Sequence, residues 1–535
     1  MSARPLSPVV LCILDGVGLG DGGEDDAVRQ AHTPWLDRLM AAHPWRTLRA
    51  HGTAVGLPSD ADMGNSEVGH NAMGAGRVFE QGASLVESAL ADGRIWRSEL
   101  WHRLCGGHTL HLLGLVSDGN VHSHVDHLVA LIEAAARGGV QRLRVHVLTD
   151  GRDVEPRSAL TWVEPLEARL AEHRGAGRDY RIASGGGRMQ LTMDRYEADW
   201  GMVERGWRCH VHGEGRPFTS ASEAIQAYYR EDPGLDDQHL PAFVVVDDQG
   251  EPVGRIVDGD AVLLFNFRGD RAVEITRAFE DDTFDAFDRG DRPEVTFAGM
   301  MQYDGDLHLP HAYLVEPPRI DRTVGQLLAQ AGRRTFACAE TQKFGHVTYF
   351  FNGNRSGLID ASLEHYLQID SDSRPLQQRP WMKAAEVTDA VVEAITSGSY
   401  DHVRLNLANG DMIGHTGDLD ATRIAIEAVD LSVGRLWRAT QRAGGILLIT
   451  ADHGNADQMY LHDRRTGALL RTPEGAPLPC TSHTLSPVPF VVCDPRGECT
   501  LRTVGDAGIA SIGATVLELC GVQPPADYLP GLIAS

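Results

Sequence analysis

The chain has 535 residues, 42% hydrophobic and 23% charged, so it can bury a sizeable core and is too long for one ordinary domain. Lys plus Arg total 49 against 74 for Asp plus Glu, and the formal charge of −25 argues against nucleic acid and anionic lipid as general partners. An anionic substrate would need a site that gathers positive charge against that field.

The first strand candidate is Val9–Leu14, an apolar run too short for a signal-peptide core or a membrane span; no run of about 18 apolar residues follows. Further candidates are Thr109–Val116, Leu143–Leu148, Val262–Phe267, Val403–Leu407, Ile446–Ile449 and Val488–Cys493. Helical patterns such as His124–Ala136 and Ala421–Ala443 lie between them. This alternation predicts an α/β protein with mainly parallel sheets covered on both faces. Gly74–Gly82 and Val315–Arg319 read as interdomain connections, and the polar, Pro-rich segments His365–Pro380 and Asp463–Pro479 as long surface loops. The 8 cysteines are scattered without a CxxC pair, as expected of free thiols in a reducing compartment, and a cytoplasmic protein is expected.

Several strand candidates run into Asp, Asn or His: Leu14-Asp15-Gly16, Val116-Ser117-Asp118-Gly119, Leu148-Thr149-Asp150-Gly151-Arg152-Asp153, Phe265-Asn266-Phe267-Arg268, Leu407-Ala408-Asn409-Gly410-Asp411 and Ile449-Thr450-Ala451-Asp452-His453-Gly454. Ligands of open α/β sheets gather outside the carboxyl ends of strands. A single Asp-Gly is often only a turn. Six such endings point to a site.

Two groups of candidates emerge. The first, near the chain ends, is Asp15, Ser66 within Met63–His70, Asp411 with His415, Asp452 with His453, and His483. Mixed carboxylates and imidazoles suit Mn²⁺ or Zn²⁺ better than Ca²⁺, and three of each suffice for two ions with open positions. Ser66 is the candidate nucleophile, flanked by small residues and at the start of a possible helix; the alternative is a serine that merely caps that helix. The second group is His122, Arg152, Asp153, Arg188, Arg195, Arg268 and Arg271, followed by Lys343. Convergent Arg forks match carboxylate and phosphate, so this set suggests a small polyanion.

These residues resemble the 2,3-bisphosphoglycerate-independent phosphoglycerate mutase family of the alkaline phosphatase superfamily. The similarity spans nearly the whole chain and is most specific in Asn65-Ser66-Glu67-Val68-Gly69-His70, Asp150-Gly151-Arg152-Asp153-Val154 and Gly410-Asp411-Met412-Ile413-Gly414-His415-Thr416-Gly417. The segment Gly187–Arg195 is one residue longer than in many bacterial members and resembles the plant and trypanosomatid branch. Phe267-Arg268-Gly269-Asp270-Arg271 has Gly where Pro is commoner.

The resemblance implies a discontinuous phosphatase-like, metal-binding α/β domain, residues 1–80 and 316–535, with an inserted α/β substrate-binding (transferase) domain, residues 81–315. It implies one metal held by Asp411, His415 and His483, and another by Asp15, Asp452, His453 and the Ser66 oxygen, with Mn²⁺ expected and Mg²⁺ or Co²⁺ as alternatives. Substrate contacts carry over onto His122, Arg152, Asp153, Arg188, Arg195, Arg268, Arg271 and Lys343. The expected reaction interconverts 3-phosphoglycerate and 2-phosphoglycerate through a phosphoserine at Ser66, with Asp153 handling the hydroxyl proton and Lys343 facing the phosphoryl group. A monomer is expected, with two domains that close to exclude water. A metal-dependent phosphomonoesterase, a phosphopentomutase or an inactive metabolite sensor on the same scaffold are the competing readings.

Overall fold

The computed structural model describes residues 8–57, 59–80, 82–194, 199–304, 308–316, 320–372, 374–463, 466–472, 475–505 and 507–534. Its strands, in chain order, are β1 (Val9–Leu14), β2 (Trp45–Leu48), β3 (Leu110–Leu115), β4 (Arg142–Thr149), β5 (Asp179–Gly187), β6 (Arg216–Phe218), β7 (Phe243–Val245), β8 (Ala261–Leu264), β9 (Thr296–Met301), β10 (Tyr313–Val315), β11 (Thr335–Glu340), β12 (Glu364–Ile369), β13 (His402–Leu407), β14 (Ile446–Thr450), β15 (Val488–Cys493), β16 (Thr500–Leu501) and β17 (Ile533–Ala534). The chain divides into two compact α/β units, one of residues 1–81 and 319–535, the other of residues 82–318.

The first unit is built on a seven-stranded sheet ordered β12-β11-β13-β1-β14-β15-β2, parallel except where β15 joins β14 and β2. Every residue of β1, β13 and β14 is buried, as central parallel strands with helices on both faces require. One covering helix, Leu419–Ala443, is capped by the Asp418 side chain, which accepts from the Ala421 amide. The register sets Leu14 beside Leu407 and Ile13 beside Thr450. The residues that follow these strands, Asp15, Asn409 to Asp411, and Asp452 with His453, therefore emerge at one sheet edge.

The second unit carries an eight-stranded sheet ordered β10-β9-β8-β3-β4-β5-β7-β6, parallel apart from the β5–β7 pair. Leu115 pairs with Leu148, and Leu113 with Leu264, so Ser117, Asp150 and Asn266 again follow the carboxyl ends of adjacent strands. The candidate strand Val262–Phe267 stops early, at Leu264. Beyond it the Asn266 side chain, not the backbone, accepts the Leu115 amide at 2.9 Å, and the chain turns away.

One loop expectation needs correction. His365–Pro380 contains most of β12, which pairs in register with β11 as an edge strand; its sequence is polar because one face meets water. The described residues of Asp463–Pro479 form no named strand and none is buried, so they remain a surface loop, crossed by single bridges at Tyr460–Pro479, His462–Leu469 and Arg471–Pro477. Gly74, read as the start of a connection, belongs to the helix Ser66–Ala75. Among the described residues no helix is long and apolar enough to cross a membrane, and all 8 cysteines are free thiols.

Candidate metal centre and arginine cradle

Ser66 is the first residue of the helix Ser66–Ala75, but Asn65 caps it, its side chain accepting from the Glu67 and Val68 amides at 3.1 Å each. The serine hydroxyl is thereby left to the site. Its Oγ lies 3.3 Å from Asp15 Oδ1, 3.0 Å from His453 Nε2 and 2.6 Å from Lys343 Nζ. Asn406, near the end of β13, donates to Asp15 Oδ2 at 2.6 Å and lies 3.2 Å from His70 Nε2. The amide nitrogen can only donate to that ring, so His70 turns its Nδ1–H to the Ser66 carbonyl at 2.7 Å.

Asp411, on the short helix Asn409–Gly414, meets His415 Nε2 at 3.0 Å, His483 Nε2 at 3.2 Å and Lys343 Nζ at 2.8 Å. The two imidazole Nε2 atoms are 3.2 Å apart. Asp411, His453 and His483 form one cluster with ligand atoms within 4.8 Å of one another, and Asp15, Asp452 and His453 form a second.

Backbone carbonyls face the outer ring nitrogens. His415 Nδ1 lies 2.5 Å from the Thr481 oxygen, His483 Nδ1 2.8 Å from that of Gly64, and His453 Nδ1 3.2 Å from that of Gly454. Carbonyls only accept, so each ring carries a proton on Nδ1. Without a metal the carboxylates also favour a proton on Nε2 and, outweighing burial, raise the His453 pKa. Once that proton is lost the Nε2 lone pair points into the cluster, as in metal-ligating histidines. Asp452 Oδ2 is buried there without a hydrogen-bond partner. Converging lone pairs and carboxylate oxygens repel one another unless cations lie among them. The donor set thus fits divalent ions, which mixed O and N ligands select.

The charges are strongly coupled. Burial, reinforced by Asp452, pushes the Asp15 carboxyl up to about 6 although Lys343 opposes it. For Asp411 burial acts in the same direction, but His415 and Lys343 hold the carboxyl well below its usual range. Burial pulls the Lys343 ammonium down, and Asp15, Asp411 and Asp452 more than reverse this. The sequence reading set Lys343 beside the arginines. The structure places it in the first unit, on the turn of helix Thr341–Gly345, among Asp15, Ser66 and Asp411.

The second unit gathers the arginines. Asp150 follows β4 and accepts from Ser117 Oγ at 2.6 Å, the Arg152 amide at 3.2 Å, the Asp153 amide at 3.0 Å and Arg188 Nη1 at 2.7 Å. Arg188, only 1% exposed, also pairs with Asp153. Arg268 Nε lies 3.0 Å from Asp270 Oδ1, which also faces His122 at 3.7 Å. Arg271 donates to the Met193 carbonyl at 2.6 Å. Gly269 suits its loop because a Cβ there would lie 2.5 Å from the Tyr303 carbonyl oxygen. Burial, then Arg188, Arg268, Arg271 and Arg152, keep the His122 imidazole neutral. Arg195 lies outside the described residues.

Thus Asp15, Ser66, Lys343, Asp411, His415, Asp452, His453 and His483 come together in one unit, and His122, Arg152, Asp153, Arg188, Arg268 and Arg271 in the other. Sequence reasoning quoted Asp150, Asp270 and His70 within its site segments but gave them no role, and it missed Asn406 altogether. Asp150 and Asn406 had a signal, since each is polar at or beside the end of an otherwise apolar strand.

A parallel α/β sheet whose strand ends surround a serine with carboxylates and imidazoles defines a metalloenzyme, and the sequence model of the Metalloenzyme superfamily matches residues 7–524. A probable 2,3-bisphosphoglycerate-independent phosphoglycerate mutase of Leptospira interrogans is 51% identical over 533 residues, covering 98% of this chain and 97% of its own. The Trypanosoma brucei mutase is 52% identical over 540 residues, covering 99% and 98%. The crystal structure of Leishmania mexicana phosphoglycerate mutase at low cobalt concentration superposes with a TM-score of 0.96 at 50% identity, covering 100% of this chain and 99% of its own. The chain belongs to the family of 2,3-bisphosphoglycerate-independent phosphoglycerate mutases.

Proposed function

We propose that this chain is a metal-dependent isomerase that interconverts 3-phosphoglycerate and 2-phosphoglycerate without 2,3-bisphosphoglycerate, carrying the phosphoryl group on Ser66. The observation that carries the phosphoserine step is the setting of Ser66 Oγ, buried beside Lys343, His453 and Asp15 at the first turn of a helix.

Asp411, His415 and His483 would hold one ion, and Asp15, Asp452 and His453 with the Ser66 oxygen another; Mn²⁺ is our assignment, with Mg²⁺ or Co²⁺ as alternatives. Bound there, divalent ions would supply Lewis acidity that acidifies the serine hydroxyl and offsets phosphoryl charge. Ser66 Oγ, its proton lost to solvent, attacks phosphorus, the bond between phosphorus and the glycerate oxygen breaks, and Asp153 in its protonated form delivers a proton to that oxygen. Lys343 offsets charge on the oxygens in flight. Arg152, Arg268 and Arg271 keep the glycerate carboxylate, and neutral His122 donates a hydrogen bond to the phosphoryl group. Asp153 removes the proton of the second hydroxyl as that oxygen attacks the phosphoserine, regenerating Ser66. The chain acts as a monomer in the cytoplasm.

The test is an enolase-coupled assay on 3-phosphoglycerate with Mn²⁺ and no bisphosphoglycerate. Rapid product from the wild type and none from Ser66→Ala are expected. Inorganic phosphate as the main product would instead identify a phosphomonoesterase, and substantial turnover by Ser66→Ala would remove the serine from the mechanism.

A further inference from the structure

The second unit contains a buried polar chain that the proposed reaction does not use. His111 on β3, His146 on β4 and His210 at the end of helix Trp200–His210 are each at most 1% exposed, and Ser184 on β5 is 2% exposed. The contacts run continuously. Asp260 Oδ2 lies 3.2 Å from His111 Nε2; His111 Nδ1 lies 2.9 Å from His146 Nε2; His146 Nδ1 lies 2.7 Å from Ser184 Oγ. Ser184 Oγ lies 2.8 Å from His210 Nδ1, and His210 Nε2 lies 3.1 Å from Thr192 Oγ1. A register shift between Val145 and His146 pairs His146 with Ser184.

Valence fixes the direction of every bond. A carboxylate only accepts, and Asp260 also takes the Thr109 amide at 2.9 Å and the Val257 amide at 3.0 Å. His111 must donate from Nε2, so as a neutral ring it accepts at Nδ1 from His146 Nε2–H. His146 Nδ1 then accepts from the Ser184 hydroxyl, whose oxygen accepts from His210 Nδ1–H. His210 Nε2 accepts from Thr192. All three rings are satisfied as neutral species, and burial lowers each of their pKa values, that of His210 to about 3.

The far end of the chain holds a strained residue. Thr192 has a φ of 68°, unusual for a β-branched residue and sustained only by its surroundings. Gly206, one helical turn before His210, admits it, since a Cβ there would meet Thr192 Oγ1 at 2.2 Å. The next residue, Met193, supplies the carbonyl that receives Arg271.

We propose that Asp260, His111, His146, Ser184 and His210 form one proton-ordered chain that positions Thr192, and through the Met193 carbonyl orients Arg271, for the anionic substrate. This rests on the mutase reading for the identity of that anion. The chain members are positioning residues and touch no reacting atom.

Nitrogen-15 NMR of histidine-labelled wild-type protein at neutral pH tests the order. His210 is expected with its proton on Nδ1, and His111 and His146 with theirs on Nε2; a charged ring or a reversed tautomer overturns the proposal. Ser184→Ala, a small change on a buried strand, should raise KM for 3-phosphoglycerate about tenfold with a smaller change in kcat, leave metal affinity unchanged and free the His210 tautomer. Asp260→Asn, which turns an NH₂ toward one of three donors, should shift KM in the same direction, and Ser184→Thr, which keeps the hydroxyl, should recover most of the loss. Wild-type KM in folded Ser184→Ala with altered tautomers would reduce the chain to scaffolding and refute the positioning role. Wild-type protein that binds 3-phosphoglycerate without isomerising it would sink the mutase reading alone; binding affinity and tautomers would still decide this one.

Discussion

Replacing Lys343 with Met keeps the buried stem and deletes the charge. The ammonium sits 2.9 Å from Asp15 Oδ1 and 2.8 Å from Asp411 Oδ2. At an effective dielectric near 20, each contact represents roughly 6 kcal/mol of gross attraction, much of it cancelled by desolvation. Removing one partner of such a buried cluster costs about 3–5 kcal/mol, so metal-free Lys343→Met should melt well below metal-free wild type. Saturating Mn²⁺ should recover most of that stability, because Lys343 shares the oxygens that cations would use; metal affinity should hold or rise. Activity should not recover. A positive donor 2.6 Å from the attacking oxygen would be gone, and loss of one preorganised group of this kind costs about 10²–10³ in kcat. The assay is enolase-coupled turnover at saturating Mn²⁺, paired with calorimetric melting with and without chelator. Turnover within about threefold of wild type in fully loaded protein would show that Lys343 is only a counter-ion.

Three further outcomes are expected. Asn406→Leu deprives Asp15 Oδ2 of its 2.6 Å donor and should weaken Mn²⁺ binding by about 10–100-fold in titration calorimetry; unchanged affinity would dismiss Asn406 as an orienting group. Arg268→Ala should raise the share of inorganic phosphate among products while sparing metal affinity, and a normal product partition would remove Arg268 from glycerate retention. Burial lowers His210 and His402 to about 3. A depressed histidine contributes stability that is present above its unfolded pKa of about 6.5 and is lost as pH falls toward the folded value. Each should therefore remove about 1.4 kcal/mol per pH unit between pH 6.5 and 4.5. Urea midpoints of chelated protein that stay flat over that interval would contradict the neutral burial of both rings.

The strands that carry the site were the easiest to read, because doubly covered parallel strands are continuous apolar runs and their first polar residue marks the carboxyl end. β1, all apolar and followed by Asp15, is such a case. β12 was hidden because an edge strand with one wet face alternates, and β5 because it ends in three glycines. Lys343 was grouped with the arginines for its charge, although the expected domain bounds already set it in residues 316–535 with the metal ligands. The mutual support of Asp150, Ser117 and Arg188, and the tautomers set by backbone carbonyls, depend on residues brought together across strands, which a linear pattern cannot display. The likeness to the mutase family was legible in fixed-order motifs, and relatives at about half identity over the full length bear it out.

β1 lies in the middle of its sheet between β13 and β14, and its residue Val9 bonds to a side chain 393 positions later. A ribosome adding about 5–20 residues per second would need roughly 20–80 s to deliver that neighbour. For all that time the segment Val9–Leu14 is a sticky, unpaired hexapeptide, while residues 82–318, already complete, can settle into their own core. Nascent-chain handling by holdase chaperones should therefore fall on the segment Val9–Leu14, and mutations that slow its eventual insertion should show up as aggregation during synthesis before any defect in the finished enzyme.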